Sequence, residues 1–159
     1  MYRSLDYEDF YATLVDLYEG RYTRPMPDVL EAFKQMGDGL SYIHSYGLTH
    51  GRIAPVTILI FPNALKLSDF GNGYSLRCDR NYCACHDKYD ICYNRAPEFQ
   101  RNPKNNDMYS DIFSLGCVFY IHATGGRKHP FLNEKERYAR FNIRPNIFEG
   151  KQSVDGTFL

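Results

Sequence analysis

The sequence predicts a mainly helical α+β fold with one small hairpin. Three observations carry this expectation. Residues 28–45 place apolar side chains at a helical period behind an aspartate and end before a glycine. Residues 107–124 form a second, more apolar stretch closed by Gly125-Gly126. Between them, two short β-rich runs, 57–61 and 64–68, flank the turn pair Pro62-Asn63.

In chain order, residues 6–19 read as a first helix, with Asp6 as N-cap, Phe10, Leu14, Leu17 and Tyr18 on one face, and Gly20 as the stop. The segment Arg24-Pro25-Met26-Pro27 is a stiff connection. Asp28 then caps the long helix, whose apolar face is Val29, Leu30, Phe33, Met36, Leu40 and Ile43. Gly37 and Gly39 lie inside it. Each costs about 1 kcal/mol relative to alanine, so close packing against another element is expected at both. Residues 49–55 are a loop, followed by the hairpin. Residues 71–106 show no period, and a loop of that length is usually functional. The stretch 107–124 is apolar nearly all round (Ile112, Phe113, Leu115, Val118, Phe119, Ile121) and is expected to be buried. Asn133, with Glu136 three residues on, predicts a last helix. Residues 151–159 read as a tail beyond a domain at 1–150.

The chain has 159 residues with 19 Lys+Arg and 19 Asp+Glu. Zero formal charge gives no reason to expect nucleic-acid or anionic-membrane binding. Aromatic residues make up 16%, enough for a real core. No run approaches the roughly 18 apolar residues of a membrane span, and the acidic N-terminus does not read as a secretory signal. A cytoplasmic location with reduced thiols follows as the expectation. Cys78, Cys83, Cys85, His86 and Cys92 cluster within fifteen residues. Their spacing lacks the paired C-x2-C of a zinc knuckle and reads as loop thiols. Tyr82, Tyr89 and Tyr93 read as exposed loop tyrosines.

Four landmarks then occur in one order: His50 to Pro55, Ser68-Asp69-Phe70-Gly71, Ala96-Pro97-Glu98, and Ser110-Asp111 through Gly116. This series resembles the large lobe of a protein kinase: catalytic loop, metal-binding D-F-G, and the A-P-E that closes the activation segment. Residues 125–131, with Arg140 and Asn142-Ile143, are similar to the kinase–endoribonuclease that senses unfolded protein in the endoplasmic reticulum. His44-Ser45 and Ile58-Leu59-Ile60 fit the same subfamily. Members of that type are membrane-anchored by segments that have no counterpart here.

The resemblance implies a role for each matched position. The pattern H-R-D-L-K-P-x-N-I-L lies without a gap on residues 50–59. Arg52 then occupies the position of the catalytic base. A guanidinium stays protonated and has no acceptor, so it takes no proton. Ala54 replaces the lysine that meets the transferred phosphoryl group, and Thr57 replaces the metal-holding asparagine. Asp69 of D-F-G is left as the one metal ligand, and Leu59 as an adenine floor. An alternative is that Arg52 pairs with Asp69 and stands in for the metal. His50, Phe70, Gly71, Glu98 and Asp111 take structural roles, with Asp111 bonding the catalytic-loop backbone.

The chain holds no G-x-G-x-x-G loop and no strand with a nucleotide-pairing lysine before His50, so a large lobe without its small lobe is expected. The reading is a degenerate, pseudokinase-like interaction or regulatory module in stress signalling. No cofactor is expected, although Mg²⁺ and ATP fit the resemblance. A second protein is expected as partner, for example a full-length kinase of the same family. The alternatives are a fragment of an ATP-binding Ser/Thr kinase that phosphorylates protein hydroxyls, and a remnant without function.

Overall fold

The computed structural model describes residues 9–69, 89–98 and 107–131. Phe70, Gly71, most of the cysteine cluster, the helix expected after Asn133 and the tail lie outside them. The described residues form a mixed α+β unit. A three-stranded antiparallel sheet in the order β1-β2-β3 packs with two long helices.

Strand β1 (Ala12–Thr13) and helix α1 (Leu14–Tyr18) replace the single helix expected over 6–19. Tyr11 N donates to Ile60 O at 2.8 Å, and Ala12 and Thr13 lie opposite Ile60 and Leu59 of β2. Sheet pairing thus takes the segment in which the helix was expected to run. Thr13 becomes the N-cap: its hydroxyl accepts from Asp16 N, and Asp16 accepts from Thr13 N at 2.8 Å. This reciprocal box satisfies two otherwise orphaned donors, and the Thr13 bonds hold the Asp16 carboxyl below its ordinary pKa. Phe10, expected on the inner face, is exposed.

Helix α2 (Val29–Ser45) starts where expected. Asp28 Oδ1 accepts from Leu30 N and Glu31 N at 2.9 Å each, a cap typically worth about 1 kcal/mol. Ala32, Met36 and Leu40, spaced four apart, are buried. Val29 and Leu30 are exposed instead. They sit in the first turn, before the helix reaches the sheet. A Cβ on Gly39 would lie 3.7 Å from Leu67, whereas Gly37 faces open space, so only Gly39 answers to close packing.

Strands β2 (Ile58–Phe61) and β3 (Ala64–Leu67) form the expected hairpin. Ile58, Ile60 and Leu65 enter the core with Leu14, Met36, Ile53 and Val118. Leu59 and Lys66 face each other on the other side of the sheet. Gln35 of α2 accepts from Leu65 N at 2.8 Å and donates to Asn63 O at 3.3 Å, covering part of the β3 edge. A short helix, α3 (Ile91–Asn94), precedes Ala96-Pro97-Glu98.

Helix α4 (Met108–Ala123) is capped by Asp107, which accepts from Ser110 N at 2.9 Å. It was expected to be buried all round, and it is not. Leu115, Cys117, Val118 and Ile121 are inside, whereas Tyr109, Ile112 and Tyr120 are exposed. The neighbours described here meet one side of the helix only. Phe119 stacks on Phe33 of α2 at 4.2 Å. At the C-terminal end, Tyr18 Oη lies 3.1 Å from His122 Nδ1, and the Tyr18 ring packs 5.4 Å from that of Tyr89. Tyr89 is not an exposed loop tyrosine: its side chain is buried and its hydroxyl donates to Gly126 O at 2.8 Å. Tyr93 is half-buried. No helix of the described residues is long and apolar enough to cross a membrane.

Burial lowers the pKa of both His50 and His122 and so favours their neutral forms. The unfolded chain therefore binds protons below about pH 6.5 that the folded chain refuses. Stability is expected to be flat above that pH. It should then fall as pH drops toward the folded-state values, by up to about 1.4 kcal/mol per pH unit for each histidine. Urea midpoints at pH 7.5 and 5.5 check this, and a His122→Gln variant should show a shallower fall.

Candidate functional site

The loop 49–57 is shaped from below by one carboxylate. Asp111, in the first turn of α4, is 1% exposed. Its Oδ2 accepts from His50 N at 2.7 Å and lies 2.9 Å from His44 Nε2. Its Oδ1 accepts from Gly51 N at 2.7 Å. Two successive amides reach one carboxylate because Gly51 holds φ at +75°. A side chain there would be strained, which accounts for glycine at this position in this chain.

His50 is fully buried. Its Nδ1 accepts from Arg52 N at 3.3 Å, which puts the proton of the neutral ring on Nε2. Desolvation is the largest influence on this imidazole and depresses its pKa; the nearby Asp111 and Asp69 charges oppose that, and Arg52 adds to it. A buried neutral histidine tied to its own loop is a packing element.

Thr57 closes the other end. It is buried, and its Oγ1 lies 2.7 Å from Arg52 O and 3.0 Å from Ala54 O while accepting from Ala54 N at 3.1 Å. The hydroxyl thus gives its one proton to the backbone and one of its two lone pairs to Ala54 N, which holds it to its own loop. Ala54 is fully buried. Ser68 joins from β3, its N and Oγ both donating to Thr57 O, at 2.9 and 3.0 Å.

The charged positions do not combine. The sequence suggested an Arg52–Asp69 pair, and among the described residues no ion pair joins them. Arg52 is half-buried, and its Nε is enclosed without a hydrogen-bond partner. Asp69 is exposed and holds a left-handed backbone, φ 62°. Left-handed aspartate is uncommon and marks a constrained position. Leu59 sits half-buried at the middle of the sheet between Thr13 and Lys66. Glu98 accepts from Ser110 Oγ at 2.9 Å, which ties the Ala96-Pro97-Glu98 segment to α4.

Magnesium in a nucleotide site is held by one or two carboxylates together with phosphate and water oxygens. Among the described residues Asp69 is the carboxylate that would hold it, while Thr57 spends its hydroxyl proton on the loop backbone.

His44 and Ser68 also shape the loop; both stand inside the matched motifs, in His44-Ser45 and just before Asp69, but the sequence gave neither a role in the site.

Residues 6–155 match the model of the protein kinase domain. The chain belongs to the protein kinase family. Its kinase relatives include the probable serine/threonine-protein kinase ireA of Dictyostelium discoideum. That protein is 35% identical over 129 residues, which cover 80% of this chain and 12% of the relative. The serine/threonine-protein kinase/endoribonuclease IRE1b of Arabidopsis thaliana is 34% identical over 121 residues, 71% of this chain and 13% of the relative. Human mitogen-activated protein kinase kinase kinase 5 is 32% identical over 135 residues, 79% and 10% respectively. The chain thus spans about an eighth or less of the length of these kinases.

Proposed function

We propose that this kinase-family domain acts without phosphoryl transfer, as an interaction or regulatory module in stress signalling, with another protein as its partner. One observation supports the reading: a hydrogen-bonded frame orders a loop whose residues, on the family pattern, lack those of the chemistry. Asp111, His50 and Thr57 hold residues 50–57 in a hydrogen-bonded frame. Within that frame a guanidinium stands where the family pattern has a proton acceptor, and alanine where it has a phosphate-contacting lysine. Losing a general base alone typically costs 10²–10⁴-fold in rate. A partner of the same kinase family, a cytoplasmic setting, and the lack of a role for nucleic acid or bound nucleotide belong to the same reading.

The test is phosphoryl transfer from radiolabelled ATP to a generic Ser/Thr protein substrate, with and without Mg²⁺. No transfer above background is expected, and no Mg²⁺-dependent rise in melting temperature with ATP. Transfer that disappears in Asp69→Asn would overturn the proposal in favour of a working Ser/Thr kinase fragment.

A further inference from the structure

The Arg52 side chain is rooted in the loop and not used by it. Both ends of its backbone are fixed: Arg52 N donates to His50 Nδ1 at 3.3 Å, and Arg52 O accepts from Thr57 Oγ1 at 2.7 Å. Ile53, Ala54 and Pro55, which follow, are buried. The Arg52 side chain is half-buried, and its Nε is enclosed without a hydrogen-bond partner. The two terminal nitrogens are not enclosed. Among the described residues they meet neither an acceptor nor a carboxylate.

A guanidinium in this position is satisfied in one way. Taking a charge partly out of water is costly unless an opposite charge or an acceptor meets it. A lysine relieves that cost by losing its proton, and an arginine does not. The acceptor therefore has to come to Arg52, and the loop has none to give. His50 Nδ1 is taken by Arg52 N. Asp111 gives its oxygens to two amides and faces His44. Asp69 is the other carboxylate in range, since its charge and that of Arg52 both act on His50, but it forms no ion pair with Arg52.

The arrangement also selects among anions. Arg52 is the one formally charged side chain of residues 50–57, and Asp69 opposes it nearby. Phosphate recognition typically gathers several arginines. A carboxylate needs two parallel N–H donors, which one fork supplies. With Nε enclosed, the end of the fork that reaches solvent is its pair of terminal nitrogens.

We propose that Arg52 is a docking residue whose terminal nitrogens bind the carboxylate of a glutamate or aspartate on a partner protein. The fixed backbone and enclosed Nε leave little side-chain freedom to lose, so the pair forms at a lower entropic cost than one between two free surface chains. The inference rests on the non-catalytic reading above for its partner being a protein.

The probe is the peptide acetyl-Ala-Glu-Ala-amide, titrated to about 50 mM into the full chain at constant ionic strength. NMR reads the Arg52 Nε–H and the Gly51 backbone amide. Saturable shifts are expected at both. The peptide with glutamine for glutamate should bind at least about threefold more weakly, and one with phosphoserine no more tightly than the glutamate peptide. Arg52→Gln keeps the loop's backbone bonds, yet its Gly51 amide should no longer shift. Arg52→Lys, a point charge without the fork, should bind severalfold more weakly than the parent. Asp69→Asn should tighten binding about twofold or more by removing the opposing charge. Three results would overturn the proposal: no saturation by protein that melts cooperatively, equal affinity for the glutamate and glutamine peptides, or an unchanged Gly51 response in a folded Arg52→Gln variant. Tighter binding of the phosphoserine peptide would overturn the choice of carboxylate. None of these titrations reads phosphoryl transfer, so failure of the docking role and failure of the non-catalytic reading are separately visible.

Discussion

Gly126→Ala should be among the most destabilising single substitutions in this chain, at about 2–5 kcal/mol. Two penalties coincide at this residue. Its φ is +77°, a left-handed backbone that costs an L-residue roughly 1–2 kcal/mol. A Cβ there would also fall 2.4 Å from Cγ of Tyr18 and 2.5 Å from its Cβ. Tyr18 is held on two further sides. Its ring lies against Tyr89, and its hydroxyl contacts His122. Moving it would also loosen the turn whose carbonyl receives the Tyr89 hydroxyl, and with it the approach to Ala96-Pro97-Glu98. Overpacking of this kind typically adds 1–3 kcal/mol. Gly125→Ala is the internal control: φ is +61°, but nothing lies within 4 Å, so only the backbone penalty applies. Thermal unfolding should place Gly126→Ala roughly 5–15 °C below the parent and well below Gly125→Ala. Two variants melting together would show that contact with Tyr18 contributes nothing.

Local signals accounted for much of this fold. An aspartate with an amphipathic run behind it gave α2 its start, since an N-cap and its periodic face are both encoded within a few residues, and an apolar stretch closed by Gly125-Gly126 marked α4. The hairpin was equally legible from its turn pair. The N-terminal segment was not, because Ala12 and Thr13 are strand residues only through Ile60 and Leu59, almost fifty positions away. No local pattern reports such a pairing. The exposure of Ile112 and Tyr120 was hidden for a related reason: composition says what a helix is able to bury, and the neighbours decide which side is covered. At the site, residue types gave the expectation that Arg52 and Ala54 stand where the family pattern has a base and a lysine. The fate of the Thr57 hydroxyl was not in the sequence, because a threonine that turns back to its own loop has the same letter as one that faces a metal.

Asp111→Ala tests whether the loop frame is held as proposed. The carboxylate receives two backbone amides, from His50 and Gly51, and faces the His44 imidazole. Alanine would strand both amides at once, and a buried donor without its acceptor costs about 1–3 kcal/mol. A loss of about 3–5 kcal/mol is expected, a large fraction of the 5–15 kcal/mol that holds a typical domain together. Asp111→Asn should cost less, since its one carbonyl oxygen still serves one of the two amides. His44→Ala should cost about 1 kcal/mol, because His44 gives one contact from a side chain 15% exposed. Urea unfolding gives the energies, and a double-mutant cycle with His44 isolates the shared part. Native-state hydrogen exchange adds a local readout: the His50 and Gly51 amides should lose protection in Asp111→Asn beyond what the change in global stability predicts. A cost below about 1 kcal/mol for Asp111→Ala, with those two amides still protected, would mean that Thr57 and Ser68 suffice to shape the loop. The expected result bears on the proposed non-catalytic role: on that reading Asp111 is kept for the shape of the loop, and the frame would be a surface that another protein reads.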